Sequence, residues 1–169
     1  RGSGYVGRHG ADFVNFNDRW SQIVNLRYDH DGSVYLIDWY DKNQCHRRDN
    51  TLHDRSNGRV FKVVYQNEKR TTVNLTKASN LELAKLQLHA NDWYVRHARR
   101  ALQERKNLPG GRAKNLSEVK AWLEKQLAIN KNTAQSLRVL WCLHVIGGIN
   151  ETGLIKLLKN RDEWVVSWA

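Results

Sequence analysis

Methionine is absent from the 169 residues, proline occurs once and cysteine twice. Two cysteines exclude a disulfide-built miniprotein and a four-cysteine zinc module. No apolar run approaches the roughly 20 residues of a membrane span. The N-terminal stretch lacks the basic, apolar and small-residue segments of a signal peptide. The chain opens Arg1-Gly2-Ser3-Gly4 without methionine and stops inside an apolar pattern at Ala169. It therefore reads as a piece of a longer protein.

What is present is positive charge and enough apolar material for a core. Lys and Arg number 28 against 17 Asp and Glu, a net charge of +11, and 40% of the residues are hydrophobic. That apolar share rules out wholesale disorder. A chain of this length buries roughly 70% of its unfolded surface as one domain. The charge is unevenly spread. Residues 1–66 contain no Glu and carry a net +2, whereas residues 67–169 carry +9. Leu occurs three times before residue 67 and sixteen times after it. Leu, Glu and Lys favour helix, and Asp and Gly favour turns between strands.

The first half reads as β. Ile23–Tyr28 and Ser33–Tyr40 are strand candidates separated by Asp29-His30-Asp31-Gly32, an Asp-Gly hairpin signal. The second candidate is apolar almost throughout, the pattern of a strand covered on both faces. A long polar excursion, 41–57, leads to a third candidate, Arg59–Tyr65. Three strands with one long loop resemble part of a propeller blade, packed on neighbouring blades or on the helices. The second half reads as α. Leu81–Leu88 marks a first helix, and Asn91-Asp92 caps a second that runs through Leu102. Ser117 caps a third, and the fourth spans Thr133–Ile146 before a Gly147-Gly148 stop. A fifth helix holds Leu154–Leu158, and a sixth begins at Trp164. Shifted by 71 residues, Leu83, Leu86, Asp92, Trp93, Val95 and Ala98 fall on Leu154, Leu157, Glu163, Trp164, Val166 and Ala169. Such a repeat predicts stacked helical hairpins, an α-solenoid, with Trp93 and Trp164 packed alike on the preceding leucines.

The expected architecture is thus mixed β then α: a partial β-propeller blade at 8–66, a linker at 67–77, and a HEAT-like helical-repeat region at 78–169. The motifs His9-Gly10-Ala11-Asp12-Phe13, Asp18-Arg19-Trp20, Asp31-Gly32-Ser33-Val34-Tyr35, Asp38-Trp39-Tyr40-Asp41, His46-Arg47-Arg48-Asp49 and Gly58-Arg59-Val60-Phe61-Lys62-Val63 carry a resemblance. Together they resemble the end of the dehydrogenase-like propeller in large extracytoplasmic haem-binding proteins of planctomycete-type bacteria. Asn91–Arg100 and Leu137–His144 with Gly147-Gly148 resemble the helical repeats that follow it. The resemblance implies an oxidoreductase parent acting on a sugar or alcohol with a PQQ-like quinone, a c-type haem in a later segment, and an extracytoplasmic location. It implies neighbouring blades and further helical repeats as intrachain partners. Haem attachment needs Cys-x-x-Cys-His, and Lys42 stands three residues before Cys45-His46, so neither haem nor any other cofactor is expected in this piece.

The densest chemistry lies on the polar excursion. His46 is a candidate base, Asp38 or Asp49 would orient it, and Arg47 would hold an anion. The competing reading is that these residues pair with one another to fix a long loop. His9, Asp12, His46, His53 and Asp54 lack the spacing of a zinc site; an Asp-rich loop could hold calcium through oxygens, but no metal is expected. Cys142 reads as a buried small hydrophobe. Arg96, Arg99, Arg100 and Arg105, with Lys106, Arg112 and Lys114 beyond them, form a basic ridge beside Trp93 and Tyr94. Such a ridge suits a protein or an acidic polymer; nucleic acid is disfavoured, and a merely solvated helix face is the alternative. Two functions remain: a junction piece of an oxidoreductase without a complete active site of its own, or a helical-repeat interaction module.

Overall fold

A computed structural model of the chain describes residues 6–42, 49, 51, 56–66, 71–108 and 116–169. Arg8–Thr72 forms one compact unit, and Val73–Ala169 forms the body of a second.

The first unit is built on an open three-stranded antiparallel sheet in the order β1 (Ile23–Tyr28), β2 (Val34–Asp38), β3 (Arg59–Val63). Gly32 turns the β1–β2 hairpin at φ 82°, where a Cβ is disfavoured. Asp29 and Ser33 close the turn through Asp29 N–H to Ser33 O at 2.8 Å. The register pairs Leu26, Leu36 and Phe61 across the strands, and Arg27, Tyr35 and Lys62 on the opposite face. A bulge between Ile23 and Asn25 shifts β1. Among the described residues Leu36 is the only buried hydrophobic side chain of this unit. Tyr35 and Ile37 are exposed, so β2 is covered on one face rather than two.

The second unit begins with a 3-10 helix at Leu75–Lys77, inside the stretch expected to be linker. Six α-helices follow: α1 (Asn80–Lys85), α2 (Asp92–Asn107), α3 (Leu116–Ile129), α4 (Thr133–Val145), α5 (Glu151–Leu157) and α6 (Glu163–Trp168). Side chains set the starts. Ser79 and Glu82 form a capping box, and Asn91, Asn132, Asn150 and Asp162 each accept a first-turn N–H. Ser117 lies inside the first turn of α3 instead of capping it. α4 ends in a Schellman motif: Gly147 N–H meets His144 O at 2.9 Å and Gly148 N–H meets Leu143 O at 2.7 Å, with Gly147 at φ 67°. Leu83, Ala84, Ala98, Leu102, Val119, Leu123, Val139, Cys142, Leu143 and Ile146 form the main core. A smaller cluster holds Leu137, Leu140 and Val165, flanked by Trp141, Leu154, Leu157 and Trp164.

These observations correct the expected fold. The sheet has three strands and stays open, so no propeller blade is formed among the described residues. Its apolar run was the misleading signal, because β2 places Asp38, not a further apolar residue, at its buried end. No HEAT-like α-solenoid is formed among the described residues either. The offset of 71 carries α1 and α2 onto α5 and α6, and Asn91 and Asp162 do cap alike, at Trp93 N–H and Trp164 N–H. Packing does not follow. Trp164 sits on the smaller cluster, whereas the Trp93 ring stacks on His97 at 4.1 Å and stands outside both clusters. The matched letters reflect caps and helix-face preferences that any short helix pair shares.

Candidate functional site

α2 and α4 pack against each other, and α4 packs against α6. Residues spaced by three along these helices share a face. Arg96 and Arg99 on α2 thereby meet Arg138 and Trp141 on α4, with Trp168 on α6 beside Trp141. The guanidinium carbon of Arg99 lies 5.3 Å over the Trp141 ring. Trp168 meets Trp141 edge-on, with ring centroids 5.0 Å apart.

Counter-charge on this face is already spoken for. Asp92, in the first turn of α2, pairs with Arg96 at 3.3 Å and with Arg138 at 3.1 Å. Arg138 also donates to His89 O at 3.2 Å. Among the described residues Arg99 has no such partner. Its Nη1 is buried without a hydrogen-bond acceptor, and so is Trp141 Nε1. Burial pulls the Arg99 guanidinium below its ordinary value; Asp92 opposes this, as does Cys142 once ionised, and the neighbouring Arg138 and Arg96 add to it. Burial also pushes the Cys142 thiol up to about 12, so it is neutral at neutral pH and supplies no counter-charge. A guanidinium stays protonated throughout the physiological range. The arrangement is a cation over an aromatic face with one donor unanswered, and it suits an anion.

The four arginines expected to form a basic ridge therefore have four different roles. Arg105 is a structural clamp: 8% exposed, it donates to the carbonyls of Ala78 and Thr76 at 2.8 and 3.0 Å and to Asn80 Oδ1 at 2.9 Å. Arg100 is exposed and pairs with Glu104 at 2.7 Å. Arg96 shares Asp92. Arg99 is the one with a buried donor that has no acceptor among the described residues. Trp93 and Tyr94, expected beside the ridge, belong to a separate ring cluster with His89 and His97. Arg112 and Lys114 lie outside the described residues.

Sequence reasoning missed Arg138, Trp141 and Trp168. The available signal was Arg138 and Trp141 at i and i+3, a cation and an indole interrupting the apolar letters of α4.

On the sheet unit, His46 and Arg47 lie outside the described residues, as do Cys45, His53 and Asp54. Asp38 is 1% exposed and its oxygens are occupied. Oδ1 accepts from Gln22 N–H at 2.7 Å and Tyr40 N–H at 3.1 Å, and Oδ2 accepts from Arg59 Nε at 2.8 Å. Burial alone would raise its pKa, but the Gln22 N–H and Arg59 outweigh it and hold the carboxyl below its ordinary value. Such a carboxylate orients backbone and is a poor proton acceptor. It also holds Tyr40 at φ 56°, a costly conformation for an aromatic residue, with Arg59 4.3 Å over the Tyr40 ring. Asp49 is exposed and accepts from Thr51 N–H and Oγ1 at 3.0 and 2.6 Å. Among the described residues no group of three His, Cys, Asp or Glu is placed to hold a metal ion.

Cavities also lie among the described residues. An apolar groove of about 440 Å³ on the sheet is lined by Phe13, Phe16, Leu26, Leu36, Val63 and Tyr65 among others. A shallow polar cleft of about 710 Å³ lies between the end of α3 and the α5–α6 loop, edged by Lys131, Lys159 and Arg161. No described helix is long and apolar enough to cross a membrane. Comparison with known protein families, with curated proteins and with solved structures finds no match.

Proposed function

We propose that this chain is an interaction module whose helical unit holds an anionic partner, a protein or an acidic polymer, on the face made by α2, α4 and α6. The observation that carries the reading is Arg99, half-buried on Trp141 with Nη1 lacking an acceptor while Arg96 and Arg138 share the one nearby carboxylate. An anion entering there would relieve both the desolvation of Arg99 and the repulsion from its two arginine neighbours. Titration calorimetry with polyglutamate and with an acidic polysaccharide tests this. Binding should weaken as salt rises. Arg99→Gln should reduce affinity about tenfold or more, and Arg100→Gln should change it less than about twofold. Equal effects of the two substitutions would reduce the site to diffuse surface charge.

The wider role implied by the sequence resemblance is membership of a large extracytoplasmic oxidoreductase, with quinone and c-type haem held outside these residues. Its support is the motif set from His9 to Val63 and from Asn91 to Gly148. A redox assay and haem spectrum on the longer protein test it, and an absence of both would leave the interaction role standing alone.

A further inference from the structure

We infer that the anionic partner is an acidic polysaccharide, and that Arg99, Trp141 and Trp168 form a subsite for one uronate residue. The inference rests on the anion-binding reading above and names its ligand. Three observations select a carboxylated sugar.

The first is the charge count of the face. Asp92 already serves Arg96 and Arg138, and Glu104 serves Arg100. Among the described residues of this face, Arg99 is the arginine without a paired carboxylate. One such guanidinium matches one carboxylate per contact, whereas a polyphosphate chain needs a row of uncommitted cations. The second is the pair of indoles. Trp168 is 54% exposed, and it stands edge-on to Trp141 at an interplanar angle of 71°. The exposed Trp168 indole, in contact with the Trp141 ring that Arg99 overlies, offers an apolar platform for the C–H face of a pyranose whose carboxylate reaches toward the cation. The third is the backbone. The interiors of α2 and α4 satisfy their own N–H and C=O groups, so an extended acidic peptide would find no main-chain partners there.

Two buried donors, Arg99 Nη1 and Trp141 Nε1, await an acceptor. A carboxylate has two oxygens and can answer both. Entry requires a side-chain rearrangement, and Trp168, exposed on the six-residue α6 and in contact with Trp141, is placed to provide it.

The test uses the full 169-residue chain, with tryptophan fluorescence and calorimetry against oligogalacturonate, an uncharged oligosaccharide of equal length, and polyglutamate. Oligogalacturonate should bind and the uncharged sugar should not. Arg99→Gln and Arg99→Lys should each weaken oligogalacturonate about tenfold, because the lysine keeps the charge and loses the fork. Trp168→Ala should weaken it about three- to fivefold and leave polyglutamate unchanged. Thermal melts of each variant establish that it is folded, and the exposed Trp168 supplies the variant least coupled to folding. Oligogalacturonate binding that ignores Trp168→Ala or Arg99→Gln overturns the inference. If polyglutamate binds through Arg99 and oligogalacturonate does not, the sugar assignment falls and the anionic-partner reading survives. If no anion binds, both fall.

Discussion

The sheet unit and the helical unit achieve order by different means. Residues 8–72 bury one apolar side chain, Leu36, among those described. Their buried end is a polar knot in which Asp38 gathers Gln22 N–H, Tyr40 N–H and Arg59, and Arg59 also reaches Asp18 at 3.0 Å. Their hairpin is tied by Asp29, Asp31, His30 and Lys62. Residues 73–169 rest on two apolar clusters, with Arg105 clamped and Arg99 half-buried beside them. A unit held by paired charges has few charges to spare for a ligand. A unit held by apolar packing can leave one half-buried guanidinium, Arg99, with a donor that no described residue answers.

The comparison can be broken most forcefully in the helical core. Leu123→Ala should destabilise the helical unit by about 2–5 kcal/mol, because the buried leucine leaves a cavity. Denaturant melts followed by helical circular dichroism read this, and the His30 resonances of the sheet unit should stay in place. In the sheet unit the matching lesion is polar. Asp38→Asn should cost about 1–3 kcal/mol, because an amide cannot accept from two backbone N–H groups and a guanidinium at once. Hydrogen exchange at Gln22 and Tyr40 should rise while α4 remains protected. If Asp38→Asn is silent, the knot does not hold the sheet.

Acidity should separate the units next. The hydrogen bond from His30 Nδ1 to Asp29 at 2.8 Å, then that from Nε2 to Thr71 O at 2.7 Å, raise the His30 pKa above its ordinary 6.5. The stabilisation from His30 is therefore complete below pH 6.5 and is lost as pH rises through the raised value. Asp31 lies below its ordinary 3.8 through Lys62 and the Ser33 N–H. Burial pushes Asp29 and Asp38 up, but the hydrogen bonds from His30, and from Gln22 and Arg59, win and leave both lowered. Their contributions are complete above 3.8 and are lost as pH falls. The sheet unit should thus be most stable between about pH 4 and 6.5 and weaken toward pH 8, read by the His30 and Tyr35 resonances in melts at each pH. A sheet unit equally stable at pH 5 and 8 would remove His30 from the account. The smallest effect belongs to Arg100. Its pair with Glu104 is exposed, and Arg100→Gln should change stability by less than about 0.5 kcal/mol.

Much of the secondary structure is legible in the letters, because its determinants are local. The Asp-Gly turn, the Asn91 cap and the Gly147-Gly148 stop each involve residues within a few positions of one another. The assembly is not legible, because it depends on distant pairs. Nothing near Asp38 announces that Arg59, 21 positions on, will neutralise it. The nearly continuous apolar run of β2 reads as a strand covered twice, yet Tyr35 and Ile37 stand exposed. The basic ridge was visible as composition. Its division into a clamp, a surface pair, a shared pair and one unanswered guanidinium needed the positions of Ala78, Glu104, Asp92 and Trp141. Trp168 is separated from Arg99 by 69 positions, and no periodicity connects them.

The most direct measurement is nuclear magnetic resonance of the arginine side-chain and indole N–H groups during titration with oligogalacturonate. The account predicts that Arg99 and the Trp141 indole shift together and saturably, with Trp168 following, while Arg105 and Arg100 stay fixed. Shifts confined to Arg100 and Lys106, or none at Arg99 and Trp141 at saturating ligand, would contradict it.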